Sequence, residues 1–232
     1  MLIPSYAVAS QRLYAIMLRM KIITLTTQKG GTGKTTLATS LAIAAMEAGE
    51  TVAAFDLDPQ GSLARWGELR TAETPIVETF PAKNVAQLPD MVRSLANKGF
   101  SLVIIDTPGA DNTATHKAME AASWCLVPIR PTRLDAMAVQ QTVRALMRGD
   151  KPFAFVLNQC PSSSRSSRAA DMAAGLSALG FLAEPPICSR TDYQDAFAAG
   201  QGVTEFAPKG RAAEEVRALW AWINRQAPEV TQ

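Results

Sequence analysis

Short runs of apolar, β-branched residues alternate with longer segments of helical periodicity along most of the chain. The apolar runs predict strands at residues 21–27, 51–55, 76–79, 101–105, 125–129, 153–157 and 186–188. The helical pattern predicts helices at residues 33–47, 85–97, 114–122, 134–147, 169–179, 193–199 and 212–225. Because several strands are apolar throughout, both faces of the sheet are expected to be covered. The pattern predicts an α/β fold in a single domain, with a doubly wound, mostly parallel sheet and helices on both faces.

Length and composition agree with one globular domain. The chain has 232 residues, of which 47% are hydrophobic and 19% charged, with a net charge of +2. This charge permits a local basic patch but does not by itself indicate a nucleic-acid partner. Cys125, Cys160 and Cys188 form no C-x-x-C pair, which favours reduced thiols in the cytosol over disulfides or a zinc site. The single histidine, His116, argues against a histidine-based metal centre.

The first nineteen residues precede the first predicted strand. They have no basic region ahead of a continuous apolar stretch, and Gln11 and Arg12 interrupt their apolar run, unlike a targeting segment. We interpret residues 1–19 as a flexible extension, or as translation begun upstream of a start at Met17 or Met20. A single folded domain is expected over residues 20–232. No apolar run reaches the roughly 20 residues that a transmembrane helix needs.

A glycine-rich segment at residues 28–36 lies between the first predicted strand and the first predicted helix. Glycines let the backbone turn its N–H groups toward an anion, and the helix N-terminus adds further donors. Lys34 is placed to reach the β- and γ-phosphates of a nucleotide, and the Thr35 hydroxyl is placed to ligate Mg²⁺. The usual G-x-x-x-x-G-K-[ST] pattern fails at its first position, where Gln28 replaces glycine and Lys29 follows. The predicted ATP-binding residues here are Lys29, Gly30, Gly31, Thr32, Gly33, Lys34, Thr35 and Thr36.

Three aspartates follow strands that end at the same edge of the sheet. Asp106 comes directly after the strand at residues 101–105, where a carboxylate typically holds a metal-bound water beside Mg²⁺-ATP. Asp56 and Asp58 follow the strand at residues 51–55 and are two positions apart, so both could face the phosphates. One of the two could position the attacking water.

At these residues the chain resembles the ParA/MinD family of P-loop ATPases, which has a variant Walker A motif. The resemblance extends from Met20 to Arg225 and rests on KGGTGKTT (29–36), FDLDPQGS (55–62), IIDTPG (104–109) and VLNQ (156–159). It is strongest to the short ParA proteins of plasmid partition, which lack an N-terminal DNA-binding extension, and the tail at residues 202–220 also resembles that subgroup. The resemblance implies a P-loop NTPase fold of the SIMIBI type.

The resemblance assigns a role to each matching residue. Lys34 binds phosphate, Thr35 ligates Mg²⁺, and Asp106 corresponds to the Walker B acid. Asp58 matches the aspartate that orients the attacking water, and Asn158 matches the residue that contacts adenine.

Lys29 corresponds to the signature lysine of the family. It crosses to the other subunit's ATP in a face-to-face, ATP-dependent homodimer, so the expected catalytic residues are Lys29, Lys34 and Asp58. Electrostatics agree with this role, because two facing ATP molecules repel each other and lysines donated in trans offset that repulsion.

The resemblance also implies what the ATPase acts on. The ATP-bound dimer binds DNA without sequence preference, and a ParB-like, centromere-binding partner stimulates a weak hydrolysis that resets the dimer. The expected setting is the nucleoid in the cytoplasm, and the cargo a plasmid, a chromosome or a related body. Basic residues suited to phosphate contacts are Arg165, Arg168, Arg190, Lys209 and Arg211, of which we favour Arg190 and Arg211.

Three alternatives remain open. A MinD-like protein would bind membrane through the apolar stripe of its last helix, here Val216, Leu219, Trp220 and Ile223. The polar face of that helix carries glutamates beside its arginines, so docking on the domain itself is favoured and no membrane partner is expected. A reductase-type relative would need paired cysteine ligands for an iron–sulfur cluster, and the segment after Asp106 offers none before Cys125. A metabolic ligase or kinase would need a second substrate pocket.

Overall fold

The computed structural model describes residues 20–162 and 167–226, so the predicted extension at residues 1–19 and Arg165 lie outside the described residues. Within them, seven parallel strands form one sheet in the order β3-β2-β4-β1-β5-β6-β7. The strands are β1 (Lys21–Leu25), β2 (Val52–Asp56), β3 (Ile76–Thr79), β4 (Leu102–Asp106), β5 (Trp124–Ile129), β6 (Phe153–Leu157) and β7 (Phe181–Leu182). The predicted doubly wound, parallel α/β fold is confirmed.

Helices cover both faces of this sheet. In the described residues they are α1 (Lys34–Glu47), α2 (Ser62–Leu69), α3 (Leu88–Asn97), α4 (Thr113–Ala121), α5 (Arg133–Arg148), α6 (Arg168–Ser177), α7 (Asp192–Ala198), α8 (Val203–Phe206) and α9 (Arg211–Gln226), with a 3₁₀ helix at Ala82–Gln87. Alternate residues of each strand enter cores on opposite faces. In β4, Leu102 and Ile104 pack with α1 and α9, whereas Val103 and Ile105 pack with α3 and α4.

The C-terminal helix α9 packs against α1, the helix that follows the glycine-rich segment. Its apolar stripe is buried in the core, and the members of that stripe are Val216, Leu219, Trp220 and Ile223. Arg217 adds a forked contact from α9 to Glu47 in the last turn of α1, with Nε 2.7 Å and Nη2 3.2 Å from the carboxylate oxygens. The prediction that this stripe docks on the protein's own domain is therefore confirmed.

The structure differs from the predicted pattern at the last strand and at two helices. The last strand is Phe181–Leu182, not residues 186–188, where Cys188 forms only an isolated bridge with Cys160. Pro185 and Pro186 both lack the N–H that a ladder needs, so this segment makes only isolated backbone contacts, such as that of the Ile187 N–H with the Leu157 carbonyl at 2.8 Å. Helices α2 and α8 were not predicted: Gly67 interrupts the helical pattern of α2, and α8 has only four residues. A Cβ at Gly67 would lie 2.8 Å from Val77 Cβ, so glycine lets α2 pack closely on β3.

The three cysteines are free thiols, as expected. Cys125 is buried in β5, and burial raises the pKa of its thiol to about 12. Such a thiol is protonated at neutral pH and packs as a small apolar side chain.

Candidate nucleotide-binding site

The glycine-rich segment forms a loop between β1 at the centre of the sheet and α1. Gly31 and Gly33 have φ angles of +75° and +88°, a region that side chains with a Cβ rarely adopt. Lys34 begins α1 and is only 7% exposed, with its Nζ 3.4 Å from the carbonyl oxygen of Lys29. Burial lowers the pKa of Lys34, while the carboxylates of Asp106 and Asp58 oppose that shift. The lysine therefore lies at the base of a loop built to receive an anion.

Two residues that follow β6 support this loop from the side. Asn158 Nδ2 donates to the carbonyl oxygen of Thr32 at 2.8 Å, and Gln159 Nε2 donates to that of Gly31 at 3.2 Å. A Cβ on Gly33 would lie 2.4 Å from Asn158 Nδ2, so glycine is needed there for space as well as for φ. From the sequence, Asn158 is expected to contact adenine, and Gln159 has no expected role. In the structure both side chains hold the glycine-rich loop, the candidate phosphate loop at residues 28–36, in place.

Thr35 and Asp106 meet behind the loop, because β4 pairs with β1. Thr35 Oγ1 donates to Asp106 Oδ2 at 2.5 Å, and the Asp106 side chain is buried. Burial raises the pKa of Asp106 to about 7. Its second oxygen, Oδ1, is buried without a hydrogen-bond partner in the described part of the chain.

This arrangement fits Mg²⁺. Across residues 20–162 and 167–226, no group of three or more His, Cys, Asp or Glu side chains could enclose a metal ion. A cation at Thr35 and Asp106 would therefore be held by one hydroxyl, one carboxylate directly or through water, and oxygens of a bound phosphate. Mg²⁺ prefers this mixture because it keeps several waters and rarely has an all-protein cage. The unpaired oxygen of Asp106 supplies the acceptor for such a water.

Asp56 and Asp58 do not share a role, although they were expected to be able to face the phosphates together. Asp56 is fully buried, and its two oxygens accept from the backbone N–H groups of Asp58 at 3.0 Å and Ala64 at 2.9 Å. Burial raises the pKa of Asp56. Asp58 is half-buried, and its Oδ1 accepts from the Gln60 N–H at 3.0 Å. Through these two hydrogen bonds, Asp56 fixes the backbone conformation at Asp58.

Lys29 lies at the rim of the loop and forms an ion pair within its own chain. Its Nζ contacts Oδ1 of Asp135, whose side chain is 1% exposed in the first turn of α5. Arg130, which follows β5, binds the same carboxylate through Nε at 2.7 Å and Nη2 at 3.1 Å. Burial alone raises the pKa of Asp135, but hydrogen bonds from Arg130 and Lys29 outweigh it and hold the pKa at about 2.

Neither Asp135 nor Arg130 was singled out from the sequence. Thr132 and Asp135 do form a T-x-x-D pattern that marks a helix start, and Thr132 caps α5 by accepting from the Asp135 N–H. That local pattern gives no sign that a lysine 106 residues away shares the carboxylate.

The two basic residues favoured for DNA binding differ in their surroundings. Arg190 is only 19% exposed and forms an ion pair with Glu215 of α9, with its Nε 3.4 Å from Oε2. Arg211, at the start of α9, is exposed, as are Lys209 and Arg168. Among the described residues neither Lys209 nor Arg211 has a carboxylate partner. Arg190 is thus less available for a phosphate than Arg211.

The helices within residues 20–162 and 167–226 include none that is both long and apolar enough to span a membrane.

The chain is similar in sequence to several known proteins. A 127-residue stretch is 38% identical to the maintenance of carboxysome distribution protein A of Gloeobacter kilaueensis and spans 53% of this chain and 55% of that protein. The protein of the same name from Halothiobacillus neapolitanus is 29% identical over 206 residues, which cover 82% of this chain and 90% of that one. Protein ParA of Rhizobium radiobacter is 27% identical over 195 residues, 78% of this chain and 84% of that one.

A solved structure shares the fold. The septum site-determining protein MinD of Pyrococcus horikoshii, complexed with Mg-ADP, superposes with a TM-score of 0.69 at 18% identity, over 92% of this chain and 99% of that one. The family model of the CobQ/CobB/MinD/ParA nucleotide binding domain matches residues 23–203, from β1 to the start of α8. The chain therefore belongs to this ParA/MinD family of nucleotide-binding domains, as its motifs predicted.

Proposed function

We propose that this protein is an Mg²⁺-dependent ATPase that dimerises around ATP and, in that state, binds DNA to position or segregate a cargo. The observation that carries the proposal is the meeting of the phosphate loop with Thr35 and Asp106 at the carboxyl edge of the sheet. The Mg-ADP in the related MinD structure supports ATP and Mg²⁺ as the ligands.

Each residue of the site has its own proposed role in hydrolysis. The loop N–H groups and Lys34 hold the phosphates, and Lys34 keeps its charge close to the group that is transferred. Mg²⁺, when bound by Thr35 and Asp106, offsets negative charge that builds up on the phosphates. Asp58, presented by Asp56, orients the attacking water. Asn158, next to the loop, is the proposed adenine contact.

Two features support a dimer as the working form. Lys29 lies at the rim of the phosphate loop, where it can exchange the carboxylate of Asp135 for a phosphate of the partner subunit. In the first two turns of α5, beside Asp135, Leu134 and Met137 are 71% and 64% exposed. Exposed apolar side chains next to a cationic site suit a protein–protein interface.

The cargo is proposed from the relatives. They include proteins named for carboxysome distribution and a ParA protein, so we propose that the dimer binds DNA and that a ParB-like partner stimulates its hydrolysis. The exposed cations Lys209 and Arg211 are the proposed DNA contacts, with Arg190 in a lesser role. The MinD-like membrane alternative loses its proposed surface, because the apolar stripe of α9 is buried against α1.

The test uses the purified chain with ATP or ADP, each with Mg²⁺ or with EDTA. We expect ATP binding that depends on Mg²⁺, a dimer in sedimentation velocity with ATP only, and a DNA gel shift at low salt that requires the dimer. The Lys34→Ala variant is the control and should lose all three. Normal ATP affinity in that variant would contradict the site assignment. Mg²⁺-dependent binding by a chain that stays monomeric would contradict the dimer alone.

A further inference from the structure

Lys29 and Arg130 share one buried carboxylate, that of Asp135. Arg130 binds both oxygens of this carboxylate with its side chain, and its backbone N–H lies 3.2 Å from Oδ2. Lys29 contacts Oδ1 alone. The three side chains therefore carry one net positive charge. The single carboxylate is paired with two cations, one more than its charge requires.

We propose that Arg130 is a positioning residue that makes Lys29 available to the partner subunit's ATP. This inference rests on the proposed dimer, because it concerns the step in which Lys29 leaves its own chain.

The physical reason is the penalty for an unpaired charge in the interior. Asp135 is 1% exposed, and without Arg130 its only cation would be Lys29, whose departure would leave a buried carboxylate uncompensated, which is strongly unfavourable. With Arg130 in place, Asp135 keeps a forked ion pair and a backbone donor after Lys29 departs. Arg130 and Asp135 then form a neutral pair, and Lys29 brings its positive charge to the phosphates of the partner subunit's ATP.

Arg130 also lies against the phosphate loop, since a Cβ at Gly31 would be 3.9 Å from Arg130 Nη1. A direct contact between Arg130 and the nucleotide is therefore the competing explanation for any effect of its loss. The two explanations differ in what happens when Asp135 is neutralised. If Arg130 acts by holding Asp135, it becomes unnecessary once Asp135 carries no charge. If Arg130 acts on the nucleotide, it remains necessary.

The experiment compares the parent with Arg130→Gln, Asp135→Asn and the double variant, after confirming by circular dichroism that each is folded. In sedimentation with ATP and Mg²⁺, we expect Arg130→Gln to weaken dimerisation about tenfold or more, because Lys29 alone then compensates Asp135. ATP affinity of the single chain, measured below the dimerisation concentration, should stay within about twofold of the parent. The double variant should dimerise at least as well as the parent.

A second measurement addresses Lys29 without a dimer. The rate at which an amine-acylating reagent modifies Lys29 in the nucleotide-free chain, followed by mass spectrometry, should fall in Arg130→Gln and rise in the double variant. Unchanged reactivity in Arg130→Gln, or a double variant that dimerises as weakly as Arg130→Gln, would overturn the role of Arg130. If the acylation rates follow the expected order in a parent that stays monomeric with ATP, it is the proposed dimer that fails.

Discussion

Thr35 Oγ1 donates a 2.5 Å hydrogen bond to Asp106 Oδ2, which joins the first turn of the helix behind the phosphate loop to the end of the adjacent strand. The parallel pairing of β1 with β4 places Leu25 beside Asp106, so the contact follows from the order of strands in the sheet. The hydroxyl and carboxylate that are expected to hold Mg²⁺ are thus brought together by the fold of the chain itself.

Thr35→Ala should lower the affinity for Mg²⁺-ATP by about tenfold or more while leaving a weaker, Mg²⁺-independent binding through Lys34. The affinity is measured by calorimetry with Mg²⁺ and with EDTA. Thr39→Ala is the matched control, because Thr39 lies one turn further along α1 and its hydroxyl bonds to the Thr36 carbonyl. Equal Mg²⁺ dependence in the two variants would contradict the metal assignment.

Asp58→Ala should retain ATP binding, lose hydrolysis and accumulate as a DNA-bound dimer, because the group that orients the water is gone while the phosphate loop is intact. Phosphate release and gel shifts measure the two effects. Asp56→Ala should instead lower the free energy of unfolding by about 2 kcal/mol or more, since it leaves two backbone N–H groups without their acceptor. Hydrolysis at the parent rate in Asp58→Ala would mean that another group orients the water.

Gly33→Ala should destabilise the chain by more than about 1 kcal/mol and abolish ATP binding, because φ is +88° and the new Cβ would meet Asn158. Urea unfolding and nucleotide titration measure both effects. Gly30→Ala is the control for stability: a Cβ there has nothing within 4 Å, and its φ lies outside the positive region. Equal unfolding midpoints for the two variants would argue against this geometry of the loop.

Asp135→Asn should show a pH-dependent loss of stability relative to the parent. The pKa of Asp135 is about 2 in the folded chain against an ordinary 3.8, so its ionised form stabilises the fold. That contribution, about 2 kcal/mol, is fully present above roughly pH 4 and is lost as the pH falls toward 2. The difference in unfolding free energy between parent and variant should therefore shrink over this range. A difference that is constant with pH would exclude the ion pair as its cause.

Arg211→Glu should weaken DNA binding at low salt by about tenfold and reduce its salt dependence, because an exposed cation at the start of α9 is replaced by an anion. Gel shifts with ATP at several salt concentrations test this. Arg93→Glu is the charge-matched control, since Arg93 is exposed on α3, across the sheet from α9. Arg190→Glu should mainly lower stability, because it places two carboxylates together at Glu215. Equal DNA affinity in Arg211→Glu and Arg93→Glu would remove Arg211 from the DNA surface.

The parts of the fold that local patterns encode were predictable. Buried strands such as Leu102–Asp106 are apolar up to their last residue, and the glycine-rich loop has a characteristic composition, so both were found with small errors at their ends. Helix α2 was missed because it contains Gly67, which disfavours a helix. The close packing of Gly67 on Val77 explains the glycine, but the sequence does not reveal that contact. A local sequence pattern is thus informative where the identity of a residue depends on its neighbours along the chain.

In the candidate site, the residues proposed to bind phosphate or metal were predictable and those that support them were not. Lys34 and Thr35 belong to one continuous motif. The pairing of Lys29 with Asp135 joins residues 106 positions apart. The difference between Asp56 and Asp58 arises because the fold buries Asp56 and leaves Asp58 partly exposed. The ion pair of Lys29 and the burial of Asp56 both depend on tertiary packing, which a local sequence pattern does not encode.

The packing of α9 on α1 has a consequence for biosynthesis. Translation proceeds from the N-terminus, so α9 leaves the ribosome after every other described element, and until then the apolar face of α1 lacks the cover given by Val216 and Leu219. A nascent chain thus carries its complete phosphate loop on a helix that is still partly bare. The apolar face of α1 is therefore fully covered only in chains whose synthesis has passed α9, and until then it is an exposed hydrophobic surface of the kind that promotes aggregation.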